Sequence, residues 1–328
     1  MNATTIWRRF SVGGKNNSLG GMEKDMDMSY EIMTDSASNL TKDLLDKYRI
    51  RMISYISNVG GEEFPCFDPD RDEAEAGHRF YEAMREGIDT QTTLINMARF
   101  TEFFEPVLKE GRDIIYVCMS GGLSGTIQAA RIAADDLMEE YEGRRIVCID
   151  SLSASLGEGL LVLKLSRLRA MGATLDEAAA FYERKKLKMN HIFTVGDLKY
   201  LKKGGRISSA EAFIGNLLSI KPILKADDEG KIVIHDKVRS RRRALDYLVD
   251  MTKARIANPS AQMIGIAHCD APMEAEYIAT RLKKELPVQD VIVRYYDLCT
   301  GSHVGPGTIA IFFMGENRMD AVADVRLA

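Results

Sequence analysis

Three polar loops rich in glycine carry the side chains of this sequence that could do chemistry. The loops comprise residues 120–126, 201–206 and 301–307. Between them they supply serine and threonine hydroxyls, the guanidinium of Arg206 and the imidazole of His303, together with backbone N–H groups that glycine leaves open to close approach. All of these groups are hydrogen-bond donors suited to a carboxylate or a phosphate. The loops therefore predict an anion-binding pocket.

The composition narrows the class of protein that could hold this pocket. The 328 residues include 44 basic and 48 acidic side chains, a net charge of −4, which gives no whole-chain attraction for nucleic acid. No stretch approaches the roughly 18 consecutive apolar residues of a membrane-spanning helix. The five cysteines are odd in number, never form C-x-x-C and lie mostly in apolar runs, which is typical of buried thiols in a reducing compartment. We therefore expect a cytoplasmic protein with no transmembrane segment and no nucleic acid partner.

Neither the histidines nor the acidic loop near residue 70 predicts a metal site. The five histidines have no short metal-ligand spacing. Asp68, Asp70 and Asp72 alternate as in a calcium loop, but Glu73 stands where that loop needs glycine and Arg79 where it needs a bidentate glutamate. We expect an acidic helix start there, and no metal or cofactor in the protein.

Short apolar runs alternate with helical periods from Tyr30 onward. This alternation predicts an α/β fold whose N-terminal domain, residues 29–165, has a mostly parallel sheet with flanking helices. Ligands of such sheets bind at the carboxyl ends of the strands, where Asp35, residues 120–126 and Asp150 would all fall.

The sequence after Asp150 predicts a second domain. Two consecutive helical patterns with no strand between them indicate a seam, and residues 166–314, with a hairpin turn at 227–230, predict a C-terminal α+β domain. We expect residues 1–28 to be a disordered or spurious tail and residues 315–328 to be a polar tail.

Local patterns make three further predictions. The apolar run at 50–57 predicts one strand, and the pattern at 124–139 predicts a helix with Ser124 as its N-cap. The glycines and proline around His303 predict a loop over residues 301–307.

Two functions remain open on the residues alone. Ser124 and His303 could act as nucleophile and base of an acyl-transfer or hydrolytic enzyme, although the chain has no G-x-S-x-G motif. The same donors could bind a small phosphate compound, although neither a P-loop nor a dinucleotide-binding fingerprint is present. A long apolar tunnel would exclude both, because it indicates a lipid ligand.

Several separated motifs together resemble the bacterial DegV family. They are Thr34-Asp35-Ser36, Leu123-Ser124-Gly125-Thr126, Asp150-Ser151, Leu198 to Ile207, Ser219 to Leu224 and Gly301 to Gly307, within a similarity that covers residues 29–314. The resemblance implies a two-domain α/β carrier, not itself an enzyme, that holds one long-chain fatty acid in an apolar tunnel. It also implies that the carrier presents the carboxylate to a separate fatty acid kinase, which makes the acyl phosphate.

The resemblance also implies a set of head-group ligands. The carboxylate would be bound by Thr92, Ser124, Arg206 and His303. Further candidate ligands are Thr93, Ser120, Gly125 and Thr126.

Overall fold

The structure is a computed structural model that describes residues 30–207 and 220–320. Its strands are β1 Tyr30–Asp35, β2 Ile50–Ile53, β3 Ile56–Val59, β4 Glu62–Pro65, β5 Thr90–Thr93, β6 Asp113–Cys118, β7 Ile146–Asp150, β8 Met189–Thr194, β9 Ile220–Ala226, β10 Ile232–Arg239, β11 Met263–His268, β12 Asp290–Tyr295 and β13 Ile309–Met314. Its α-helices are α1 Lys42–Tyr48, α2 Glu73–Arg85, α3 Met97–Lys109, α4 Thr126–Glu140, α5 Leu156–Ala170, α6 Leu175–Lys185, α7 Lys199–Lys203, α8 Arg241–Arg255, α9 Pro272–Glu285 and α10 Leu298–Val304.

The first sheet is parallel, in the order β2-β1-β6-β7. Its two central strands are almost fully buried, because helices cover both faces of such a sheet and both faces need apolar side chains. The carboxyl ends of β1, β6 and β7 therefore meet at one edge, which places Asp35, Cys118 and Asp150 side by side. The predicted α/β fold with a parallel sheet is confirmed.

The single strand predicted at residues 50–57 is wrong. The chain leaves the parallel sheet after Ile53, and β3 pairs instead with β4 and β5 in a small antiparallel sheet. At the break, the N–H of Tyr55 donates to Ser36 Oγ at 3.0 Å, and Ser54 Oγ accepts from the N–H of Phe67 at 2.9 Å. Side chains take over the backbone hydrogen bonding there, which an apolar pattern cannot reveal.

The second sheet has the order β10-β9-β8-β13-β11-β12, with only its β11–β12 pair parallel. The predicted hairpin is confirmed, since β9 and β10 are antiparallel neighbours joined by a turn in which Gly230 has a φ of +74°. Helices α8 and α9 pack against this sheet, which makes it the mixed α+β unit that the sequence predicts.

Helix α5 lies between the two sheets. It packs on β1 and β6 of the first sheet and on β8, β11 and β13 of the second, and most of its side chains are buried. The predicted boundary between residues 165 and 166 falls inside this helix. The division into domains stays a prediction.

The predicted tails are described only in part. Residues 1–28 lie outside the described residues, as do 321–328 of the C-terminal segment. Within residues 315–320, Arg318 is buried and its guanidinium donates to the carbonyl oxygen of Leu152 at 2.9 Å.

Two absences hold for the described part of the chain. No helix there is long and apolar enough to cross a membrane. No group of three histidine, cysteine, aspartate or glutamate side chains there could hold a metal ion.

Candidate functional site

The loop after β6 is held in place by two carboxylates at the edge of the first sheet. Asp35 Oδ2 accepts from the N–H of Met119 at 3.0 Å, and Asp150 Oδ1 accepts from the N–H of Gly121 at 3.1 Å. Both carboxylates therefore fix the backbone of the loop that leads to Ser124. Their position at the strand ends is the one that the sequence predicts.

Asp35 has further partners inside the protein. Its carboxylate also accepts from the N–H of Ala37 at 2.9 Å and from the hydroxyls of Tyr55 and Tyr116 at 3.4 and 3.3 Å. Burial raises the pKa of Asp35 to about 6, although hydrogen bonds from Met119 and Ala37 favour the charged form. The Asp35 carboxylate accepts hydrogen bonds from groups of the protein, so its role is to hold the loop in place.

Ser120, a candidate ligand in the sequence, serves the same structural purpose. Its fully buried hydroxyl donates to the carbonyl oxygen of Gly230 in the β9–β10 turn at 3.0 Å. The turn lies so close that a Cβ at Gly122 would stand 2.6 Å from the carbonyl oxygen of Glu229. The Ser120 hydroxyl therefore connects the loop after β6 to the β9–β10 turn of the second sheet.

Ser124 stands just before helix α4, with its side chain half-buried. Its Oγ lies 2.9 Å from Thr126 Oγ1 and accepts from the N–H of Thr126 at 3.3 Å. The helix begins at Thr126 with Gly125 as its N-cap, so the predicted helix start at Ser124 is wrong. Ser124 still lies at the positive end of a 15-residue helix, which favours an anion.

Arg206 reaches this loop from the segment that follows helix α7. Helix α7 ends at Lys203, and Gly205 turns the chain with a φ of +70°, a conformation that glycine adopts without strain. The Nε of Arg206 then donates to the carbonyl oxygen of Leu123 at 3.2 Å, and Nη1 donates to that of Gly204. The guanidinium therefore lies beside the residue that precedes Ser124.

His303 lies in a helix, so the loop predicted over 301–307 is wrong for residues 301–304 and is confirmed only for 305–307. Helix α10 includes Gly301 and His303 and is capped by Asp297, whose carboxylate accepts from the N–H of Thr300 at 2.7 Å. A Cβ at Gly301 would lie 2.0 Å from the Tyr81 hydroxyl, so this glycine permits close packing and does not break the helix. Aspartate is a favoured N-cap residue, so Asp297 is the signal that could have predicted the start of α10.

The imidazole of His303 contacts the small antiparallel sheet. Its Nε2 lies 3.0 Å from the hydroxyl of Thr92 in β5. Burial, together with the nearby charge of Arg206, lowers the pKa of His303 to about 4, so the ring is neutral at pH 7. Thr93, next along the strand, is exposed and points to the opposite face of the sheet.

The structure thus brings together four predicted residues from four separate segments. Thr92 contacts His303, the charge of Arg206 acts on His303, and Arg206 contacts the loop of Ser124. The hydroxyl bonded to His303 belongs to Thr92 and not to Ser124, which is not the pairing that a serine nucleophile needs.

A cavity of about 280 Å³ lies at the other end of α10. Its lining combines the apolar side chains of Leu40 and Phe67 with charged ones such as Arg71 and Glu73. The predicted head-group residues are not among its lining. The apolar tunnel itself stays a prediction.

The fold defines a class of protein, an α/β protein with a parallel sheet, a mixed sheet and a small antiparallel sheet. The model of the DegV family, described as an uncharacterised protein family, matches residues 29–316. A DegV domain-containing protein of Clostridium perfringens is 38% identical over 290 residues, which cover 88% of this chain and 98% of that protein. The chain belongs to the DegV family.

Solved structures of DegV proteins have the same fold. A DegV family protein of Thermus thermophilus, described by its fatty acid binding, is 27% identical with a TM-score of 0.76, covering 88% of this chain and 99% of its own. DegV of Bacillus subtilis, described as a fatty acid binding protein, is 26% identical with a TM-score of 0.75, covering 88% of this chain and 100% of its own.

Proposed function

We propose that this protein binds one long-chain fatty acid and holds its carboxylate with Thr92, Ser124, Arg206 and His303. The observation that carries the proposal is the convergence of these four side chains from separate segments. The fatty acid binding described for the T. thermophilus and B. subtilis relatives supports the choice of ligand. The protein itself acts as a carrier and catalyses no reaction.

The tail and the head of such a ligand need different surroundings. Each buried methylene contributes about 0.8 kcal/mol, so roughly 15 methylenes offer an upper bound near 12 kcal/mol. The tail enters the larger hydrophobic core, which includes the buried side chains of Ile95 and of Cys299 in α10. The head is held by the charge of Arg206 and by neutral donors, because a buried carboxylate without hydrogen bonds would cost more than the tail provides.

We further propose that the carboxylate is presented to a separate fatty acid kinase. The lysines of α7 next to Arg206, Lys199, Lys202 and Lys203, are exposed, and so are the apolar side chains of Leu94 and Met97 beyond β5. Exposed apolar side chains next to a charged rim are typical of a protein-binding surface.

A second candidate for the kinase-facing surface is the basic segment 239–243. Arg239, Arg242 and Arg243 are exposed. Arg241 donates to the carbonyl oxygen of Gly307, close to the turn that follows α10, at 2.6 Å, which links this segment to the helix of His303.

Charge reversal tests the two surfaces. Lys199→Glu with Lys202→Glu, or Arg239→Glu with Arg243→Glu, should lower kinase-dependent acyl phosphate formation and leave fatty acid binding unchanged. Lys283→Glu on the exposed side of α9 serves as the control. Normal phosphorylation with both double variants would overturn the kinase proposal.

Mass spectrometry tests the carrier function. The purified protein is denatured, and the released small molecules are identified and quantified against the protein. One long-chain fatty acid per chain is the expected result. A released phosphate ester, or an empty protein that takes up no added fatty acid, would refute the proposal.

A further inference from the structure

The hydroxyl of Ser57 is buried and has no hydrogen-bond partner. Ser57 lies in β3, is fully buried, and its Oγ contacts no donor or acceptor in the structure. Buried hydroxyls in folded proteins almost always have a partner. In the described residues the hydroxyls of Tyr182, Thr194 and Thr300 also lack a partner, but Ser57 is the exception among the buried serines. The buried serines with a partner are Ser36, Ser38, Ser120, Ser151, Ser153, Ser155, Ser166 and Ser302.

The position of Ser57 in the sheet indicates what its unpartnered hydroxyl could bind. Ser57 stands directly opposite Thr92 in the antiparallel β3–β5 pair, so both side chains project from the same face, with Cβ atoms about 5 Å apart. Thr92 is the residue whose hydroxyl contacts His303 Nε2 at 3.0 Å. Helix α10, which carries His303, packs against both strands. The unpartnered hydroxyl therefore lies beside the predicted head-group site, on its buried side.

The hydroxyl of Ser57 makes no hydrogen bond that would stabilise the fold. Asp35 and Ser120 also lie near the strand ends, and each is bonded within the protein. Thr92 is half-buried whereas Ser57 is fully buried, so the pair presents one outer and one inner donor on the same face. Two such donors match the two oxygens of a carboxylate, each of which accepts hydrogen bonds.

We propose that Ser57 is a further ligand of the fatty acid head group, with its hydroxyl donating to the inner carboxylate oxygen while Thr92 binds the outer one. This inference rests on the proposed function of the site. It assigns Ser57 a purpose that applies only when ligand is bound.

The test compares Ser57→Ala with Ser166→Ala. Ser166 is a buried serine of α5 whose hydroxyl donates to the carbonyl oxygen of Tyr48 at 2.6 Å, so it is a matched structural control. Affinity for palmitate and for its methyl ester is measured by titration, and the melting temperature is measured on protein freed of lipid.

Ser57→Ala should weaken palmitate binding roughly tenfold, because a hydrogen bond to a charged group is lost. It should leave the affinity for the methyl ester unchanged and should not lower the melting temperature of the lipid-free protein. Ser166→Ala should do the reverse, with a lower melting temperature and unchanged affinity for palmitate.

Three outcomes would overturn the inference. Unchanged palmitate affinity in Ser57→Ala would remove Ser57 from the head-group site, and an equal loss for acid and ester would place it along the tail. A lower melting temperature without lipid would make it a structural serine. In each case wild-type protein that binds palmitate leaves the carrier function standing, whereas wild-type protein that binds no fatty acid refutes that function as well.

Discussion

Two polar regions of this molecule lie side by side and differ in how their hydrogen bonds are used. Around the loop after β6, the side chains of Asp35, Asp150 and Ser120 all bond to groups of the protein. Around α10, Thr92 and His303 contact mainly each other, and the hydroxyl of Ser57 has no partner. The first region is a scaffold, whereas the second includes a hydroxyl, that of Ser57, which bonds to no group of the protein. The difference separates Asp35, Asp150 and Ser120, which hold the loop, from Ser57, whose hydroxyl has no such structural role.

The largest effect is expected in the scaffold. Asp35→Ala would leave the buried N–H groups of Met119 and Ala37 without their acceptor. We expect a loss of about 2–4 kcal/mol in the free energy of unfolding, since buried unpaired donors are costly, measured by urea denaturation. A variant as stable as the wild type would show that the loop does not depend on Asp35.

A large loss of affinity is expected for Arg206→Ala. The guanidinium is the cation next to Ser124, and a hydrogen bond from a charged donor to a carboxylate contributes about 1.5–3 kcal/mol. Fatty acid affinity should therefore fall roughly 10–100-fold, with little change in melting temperature. Arg145→Ala, which removes an exposed ion pair with Asp176, is the matched control and should bind normally.

A smaller loss is expected for Ser124→Ala. The half-buried hydroxyl contributes one neutral donor, and the helix end behind it remains. Affinity should fall about fivefold, as is typical of one hydrogen bond near 1 kcal/mol. Ligand titration with Ser120→Ala provides the contrast, because that substitution should lower the stability of the protein and leave its affinity for the fatty acid nearly unchanged. The reverse pattern would exchange the roles of the two serines.

The last effect depends on pH and concerns Asp297, the N-cap residue of α10. Its Oδ2 is buried without a partner, and burial raises its pKa to about 7. A carboxyl whose folded pKa lies above its unfolded value of 3.8 loses its stabilising contribution as pH rises through about 7. Asp297→Asn keeps the cap on α10 and removes this dependence.

We expect Asp297→Asn to gain on the order of 1–2 kcal/mol of stability at pH 8 relative to its effect at pH 4. Urea denaturation of both proteins at the two pH values measures the difference. An effect of equal size at both pH values would mean that Asp297 does not titrate in this range.

The family could be recognised from the sequence because the motifs keep their order and spacing, and the fold class followed from alternating apolar and helical periods. Most elements were also predictable, such as β11 at Met263–His268 and α2 at Glu73–Arg85. Local periodicity is a property of the chain itself, so it survives without tertiary information. The grouping of Thr92, Ser124, Arg206 and His303 came from the resemblance and stays a prediction.

The tertiary structure alone decided which polar residue serves which purpose. Ser120 and Ser124 are alike in sequence, but one is bonded to the β9–β10 turn and the other remains half-buried at a helix start. The glycines of 301–307 predicted a loop, but packing against Tyr81 makes Gly301 part of a helix. The sequence around Ser57 could not predict a role in the site, because that role depends on its strand partner Thr92, 35 positions away. Residue types and periodicity are local, whereas hydrogen-bond partners are set by segments distant in the chain.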